Sequence, residues 1–120
     1  MQTEKQRLGA DGERAAAAFL TGQRYEILDR NWRCPAGELD LVARAGNGQI
    51  VAVEVKTRSS QRFGSGFDAI TPAKFRRLNK LLLFWAQSHR LFLAELRVDV
   101  VEVYATVSGF DCHLHEDVHS

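Results

Sequence analysis

Several features are scarce in this 120-residue chain, and each scarcity excludes a class of protein. Cysteine occurs twice, as Cys34 and Cys112, with no CxxC spacing. Neither a disulfide framework nor a thiolate metal site is therefore indicated; the usage fits a reducing cytoplasm, with a lone Cys34–Cys112 bridge left open. No apolar run approaches the ~18 residues of a membrane span. The opening residues Met1–Arg7 carry no apolar signal core, so a cytoplasmic location with no membrane partner is expected. Internal repeats, low-complexity tracts and signs of a second domain are also missing. A single domain over 1–120 is expected, fraying from about 116.

Net charge is scarce too, at +1 overall, but it is unevenly spread. From Lys56 to Arg90 there are eight Lys or Arg against the single acid Asp68, a local excess of +7 that leaves −6 on the remainder. Such a block reads either as a solvated basic helix face or as a surface for a polyanion. The hydrophobic share of 45% and the charged share of 26% are ordinary for a globular domain large enough to bury a core.

What is present centres on one hairpin. Gly37–Ala43 and Val51–Lys56 both alternate apolar and polar residues, as half-buried strands do. Between them, Ala45-Gly46-Asn47-Gly48-Gln49 supplies turn residues that tolerate positive φ. A turn centred on Asn47 sets Leu41 opposite Val53, Asp40 opposite Glu54 and Glu38 opposite Lys56. Leu39, Leu41 and Ala43 then share one face and the charged residues the other. Two carboxylates so opposed, about 4.5–5.5 Å apart at Cβ, repel unless a cation joins them. A hard divalent cation, Mg²⁺ or Mn²⁺, bound by Asp40 and Glu54 with Lys56 beside it suits phosphodiester hydrolysis. The plainer alternative is a cross-strand charge ladder tolerated in solvent.

The remaining elements are simpler. Thr3–Thr21 reads as a helix whose Gly9 and Gly12 either fray its start or allow a very close contact. Glu13, on the Gly9/Ala16/Leu20 side of that helix, reads from the residues alone as an ordinary surface acid. Tyr25–Trp32 is a strand, and 57–67 a loop rich in Gly, Ser and Arg suited to substrate contacts. Thr71-Pro72 opens a second helix, with Phe75, Leu78, Leu82 and Trp85 as its core face. Lys74, Arg77 and Lys80 form a basic stripe, and Lys74 lies in a first turn whose dipole disfavours a cation unless an anion is brought there. Glu95–Tyr104 is a further strand, and 110–114 admits a short edge strand. His113, His115 and His119 have no recognised ligand spacing and are assigned to the frayed end.

Taken in order, these motifs resemble a known family. Gly9-x-x-Gly12-Glu13, Tyr25-x-Ile27-Leu28-x-x-Asn31-Trp32-Arg33, Gly37-Glu38-Leu39-Asp40-Leu41, Val53-Glu54-Val55-Lys56-x-Arg58, Phe63-Gly64 and Thr71-x-x-Lys74 resemble the bacterial YraN family across about Leu8 to Val103. That group is similar to Holliday-junction resolvases of the PD-(D/E)xK nuclease superfamily. The resemblance implies an α/β, restriction-endonuclease-like fold: a mixed central sheet flanked by helices, in the order αβββαβ with room for an edge strand.

By position, the resemblance makes Asp40 and Glu54 metal ligands with the Val55 carbonyl, Lys56 the motif lysine, and Glu13 an inward-facing helix glutamate. Leu39 stands where the motif's proline would be. The implied function is a Mg²⁺- or Mn²⁺-dependent DNA endonuclease acting on branched or single-stranded DNA in repair or recombination. Asp40, Glu54 and Lys56 would be catalytic, with Glu13 and Glu38 supporting, and Arg58, Arg62, Lys74, Arg77 and Lys80 would hold phosphates. The resemblance to resolvases admits a homodimer. The alternative is a non-catalytic nucleic-acid-binding module on the same fold.

Overall fold

A computed structural model describes residues 1–58 and 70–119; Arg62 and the Phe63-Gly64 motif lie outside the described residues. The order is α1 (Glu4–Gly22), β1 (Glu26–Cys34), β2 (Gly37–Arg44), β3 (Ile50–Arg58), α2 (Pro72–Ser88), β4 (Val98–Thr106) and β5 (Gly109–His115). This is the expected αβββαβ series with the edge strand present.

The five strands form one sheet in sequence order. β1–β2, β2–β3 and β4–β5 pair antiparallel, whereas β3 and β4 run parallel. A parallel pair needs a crossover, and α2 lies within it. The β2–β3 register is the one read from the turn: Leu41 faces Val53 and Ala43 faces Val51. The turn is closed by the Ala45 amide donating to the Gln49 carbonyl at 2.8 Å and by Asn47 Oδ1 accepting from the Gln49 amide at 2.9 Å.

Each face of the sheet carries one helix. α1 buries Ala16, Ala17 and Leu20 against Leu41, Ala43, Val51, Val53, Val101 and Val103. α2 buries Leu78, Leu81, Leu82 and Trp85 against Leu39, Val42, Ala52, Val98 and Val100. β4 is covered on both faces and is buried from Val98 to Tyr104, which accounts for its apolar middle. Both helices begin as their capping residues require. Thr3 and Gln6 form a reciprocal capping box, and Thr71 Oγ1 accepts from the Lys74 amide at 3.2 Å with Pro72 next in line.

After β5, Asp117 and Val118 are tied back to β4. The Val118 amide donates to the Val98 carbonyl at 2.8 Å, and the Val118 side chain is buried. The Asp117 amide donates to Asp99 Oδ1 at 2.9 Å. The histidines assigned to a loose end are also engaged. His113 and His115 belong to β5, where His113 packs edge-on against Tyr104, and the His119 ring lies 5.9 Å from that of Phe75. Among the described residues, no helix is long and apolar enough to cross a membrane.

Candidate active site at the β2–β3 fork

Asp40 lies where β2 and β3 part. Their ladder runs from Arg44–Ile50 to Leu41–Val53. One step further, the Val55 amide donates at 2.9 Å to Asp40 Oδ2, a side-chain oxygen in place of a strand carbonyl. On the other side of β2, Asn31 of β1 falls between the Arg30–Leu41 and Trp32–Leu39 pairs and has a left-handed backbone, φ 49°. The two irregularities coincide, and the alternation of β2 changes hand there. Leu41 and Ala43 pack under α1, but Leu39 packs with Trp32 under α2. The expectation that Leu39, Leu41 and Ala43 share a face is therefore corrected. A left-handed residue beside the strand twists it, and the Asp40 carboxylate is wedged between strands rather than laid on one face.

The two acids do meet. Burial is the largest influence on Asp40, followed by the charge of Glu54, and together they push its pKa from 3.8 up to about 8. A hydrogen bond between the two carboxyls, which requires one of them to be protonated, adds to the rise, whereas the Val55 amide opposes it. Glu54 lies toward α2, and Lys74 Nζ approaches its Oε2 at 3.1 Å. Lys74 thus reaches the carboxylates from the first helical turn, where the dipole alone would disfavour it.

Glu13 faces inward, as the resemblance implied and the residues alone did not. Its pKa is raised by burial first and by the charge of Glu38 second, with Asn31 and Asp40 opposing the rise. Close helix–sheet packing brings it there. A Cβ on Gly12 would lie 2.1 Å from Thr57 Oγ1 on β3, so only glycine permits that approach. Glu38 pairs with Arg33 across the β1–β2 hairpin. Lys56 is half-buried on β3 and lies level with Glu102 of β4.

The residues present suit a divalent cation. Three carboxylates, from Glu13, Asp40 and Glu54, influence one another here, and burial together with the neighbouring acids drives Asp40 toward its protonated form. Oxygen donors of this kind are what Mg²⁺ and Mn²⁺ take. Among the described residues, no three His, Cys, Asp or Glu side chains already stand as a complete ligand set. Asp40 and Glu54 would supply two ligands, and Mg²⁺ ordinarily keeps several waters.

The proposed phosphate contacts divide. Lys74 is at the site, and the Arg77 side chain runs past Gly37 at the start of β2. Lys80 lies over the Phe84 ring, 5.8 Å from its centroid, one turn further along α2. Arg58 instead approaches a buried carboxylate, with Nε 3.4 Å from Glu102 Oε2. Glu102 also meets His115 Nε2 at 2.8 Å and accepts from the Tyr104 hydroxyl at 3.1 Å. This cluster was missed from the sequence. Its one signal is an acid inside the apolar run Val98–Val103, where a buried charge needs partners.

Comparison with known proteins places the chain. Residues 12–103 match the family model described as uncharacterised protein family UPF0102. The chain belongs to this family. A UPF0102 protein of Beutenbergia cavernae is 49% identical over 105 residues, 88% of each chain. One from Renibacterium salmoninarum is 50% identical over 96 residues, 80% of each chain. A third, from a Nocardioides species, is 48% identical over 99 residues, covering 82% of this chain and 79% of the relative. The matched span of the UPF0102 model runs from Gly12 to Val103 and so contains Glu13, Asn31, Asp40, Glu54, Lys56 and Lys74.

Proposed function

We propose that the protein is a metal-dependent nuclease that hydrolyses phosphodiester bonds in DNA. The observation that carries this reading is the wedged, proton-hungry Asp40 against Glu54 at the β2–β3 fork. The hydrogen bond to Val55 alone does not call for a second acid beside Asp40, whereas a bound cation would offset the cost of holding the two together. A divalent cation held by Asp40 and Glu54 supplies polarisation of the phosphate and a more acidic bound water.

The chain's own residues do the rest. The Val55 amide fixes one oxygen of Asp40, leaving the other to the site. Glu13, through Asp40 and Asn31, keeps the first carboxylate from rotating away. Lys56 carries a compact charge suited to orienting water or offsetting charge that grows on the phosphate. Lys74 neutralises Glu54 at rest, and a phosphate brought to the start of α2 would compete for its ammonium. Arg77 extends the same edge.

The test is a cleavage screen with Mg²⁺ and Mn²⁺ over duplex, single-stranded, flap and four-way DNA. Wild-type protein is expected to cut at least one of them. Asp40→Asn and Glu54→Gln should each lower the rate by about 10²–10³-fold or more while keeping the fold. DNA binding without cleavage by any metal-loaded form would favour the non-catalytic module instead. Cleavage that survives both substitutions would end the proposal.

A further inference from the structure

Beside the fork lies a cavity of about 820 Å³ between the first half of α1 and the edge of β3, with Asp40 and Glu13 in its wall. Its size falls within the range of small-molecule pockets and suits one nucleotide, not a duplex. Leu8, Gly9 and Val55 give it an apolar floor, and Lys5 and Arg7 line it as cations. Glu4 and Asp11 also line it, acids that would repel a continuous run of phosphates. Gly9, in its wall, contributes no side chain to it. Beyond its chain neighbours and the backbone of its own helix, no heavy atom of the described residues lies within 4 Å of the Cβ that a residue at position 9 would carry. Gly9 is therefore not required for packing, in contrast to Gly12, three residues on, where a Cβ would strike Thr57.

We propose that this cavity receives the base and sugar of one unpaired nucleotide next to the phosphate being cut, and that Gly9 keeps it open. The inference rests on the nuclease reading and names the substrate form. A base stacked and paired in a duplex cannot enter a concave pocket, so the nucleotide must be single-stranded or turned out of the helix. Leu8 and Val55 offer apolar contact to the base, and Lys5 and Arg7 meet the neighbouring phosphate. Asp40, in the cavity wall, is then adjacent to the scissile bond.

Gly9→Leu tests this directly, because it intrudes on the cavity without altering Asp40, Glu54 or Lys56 and replaces a poor helix former with a good one. Cleavage of a single-stranded oligodeoxynucleotide with Mn²⁺ would be compared among wild type, Gly9→Ala and Gly9→Leu, alongside Mn²⁺ binding and thermal unfolding. The expected result is a graded loss, with Gly9→Leu at least tenfold slower than wild type and Gly9→Ala between them. Mn²⁺ affinity and melting temperature should not fall. In the wild type, a single abasic residue beside the mapped cut should slow cleavage in the same way. Wild-type cleavage matched by Gly9→Leu, or wild-type cutting of fully paired duplex as fast as single strands, would overturn the cavity inference alone. A wild-type protein that binds Mn²⁺ and cuts no DNA would overturn the nuclease reading and this inference with it.

Discussion

Acids cluster at the start of β4 and at the β2–β3 fork, and the two clusters are built on opposite terms. Near the start of β4, Asp99 is wholly buried, yet every partner it needs is present. Arg97 donates to both its oxygens at 2.8 and 2.9 Å, Tyr25 donates at 2.6 Å, and the Asp117 amide adds 2.9 Å. A second acid, Glu116, shares Arg97 at 3.1 Å. At the β2–β3 fork, the partly buried Asp40 meets two other acids, Glu54 and Glu13, and Lys74 reaches Glu54 at 3.1 Å. The difference separates a paired acid from a crowded one. Where the chain supplies its own cation, the carboxylate serves the fold. At the fork, burial and a neighbouring acid leave Asp40 holding its proton instead.

Breaking the satisfied cluster should produce the larger stability effect. Arg97→Met strips the cation from a carboxylate with no access to water, at a cost of about 3–5 kcal/mol. Thermal denaturation should show a drop of roughly 10 °C or more. A melting temperature within about 2 °C of wild type would mean that Asp99 is not held as described.

Breaking the unsatisfied cluster should act in the opposite direction. The folded chain holds the Asp40 proton up to about pH 8, whereas an unfolded chain releases it near 3.8. Rising pH between those values therefore erodes stability, the reverse of an ordinary salt-bridged carboxylate. Asp40→Asn removes that loss and keeps an oxygen for the Val55 amide. In metal-free buffer it should match wild type near pH 4 and become the more stable protein toward pH 8. A relief of about 1 kcal/mol would raise the melting temperature by roughly 4–8 °C. Destabilisation at pH 8 would show that Asp40 is a structural acid after all.

Much of this contrast was legible in the residues. The Gly/Asn turn fixed the β2–β3 register, and the capping signal at Thr71 placed the start of α2. The wedge at Asp40 was not legible. It depends on Asn31 of a neighbouring strand adopting left-handed geometry, which strict alternation along β2 cannot anticipate. The Asp99 cluster was hidden for a related reason, since its members come from positions 25, 97, 99, 116 and 117. Only the fold brings them together. Residues 116–119 read as a loose end because their polar composition gave no hint of buried partners. Arg58 read as a phosphate ligand because Glu102, its partner, lies more than forty residues away in an apolar strand. Glu13 was decided by resemblance rather than by its own helix pattern.

Calorimetric titration of Mn²⁺ into the wild-type protein at pH 6.5 and at pH 8 tests the proposal that Asp40 and Glu54 hold a divalent cation. A cation must displace the proton held on Asp40, so affinity should rise with pH, approaching about tenfold per unit below pH 8. Asp40→Asn should lose both the tight binding and its pH dependence. Absence of Mn²⁺ binding, equal affinity at the two pH values, or undiminished binding by Asp40→Asn would contradict the account.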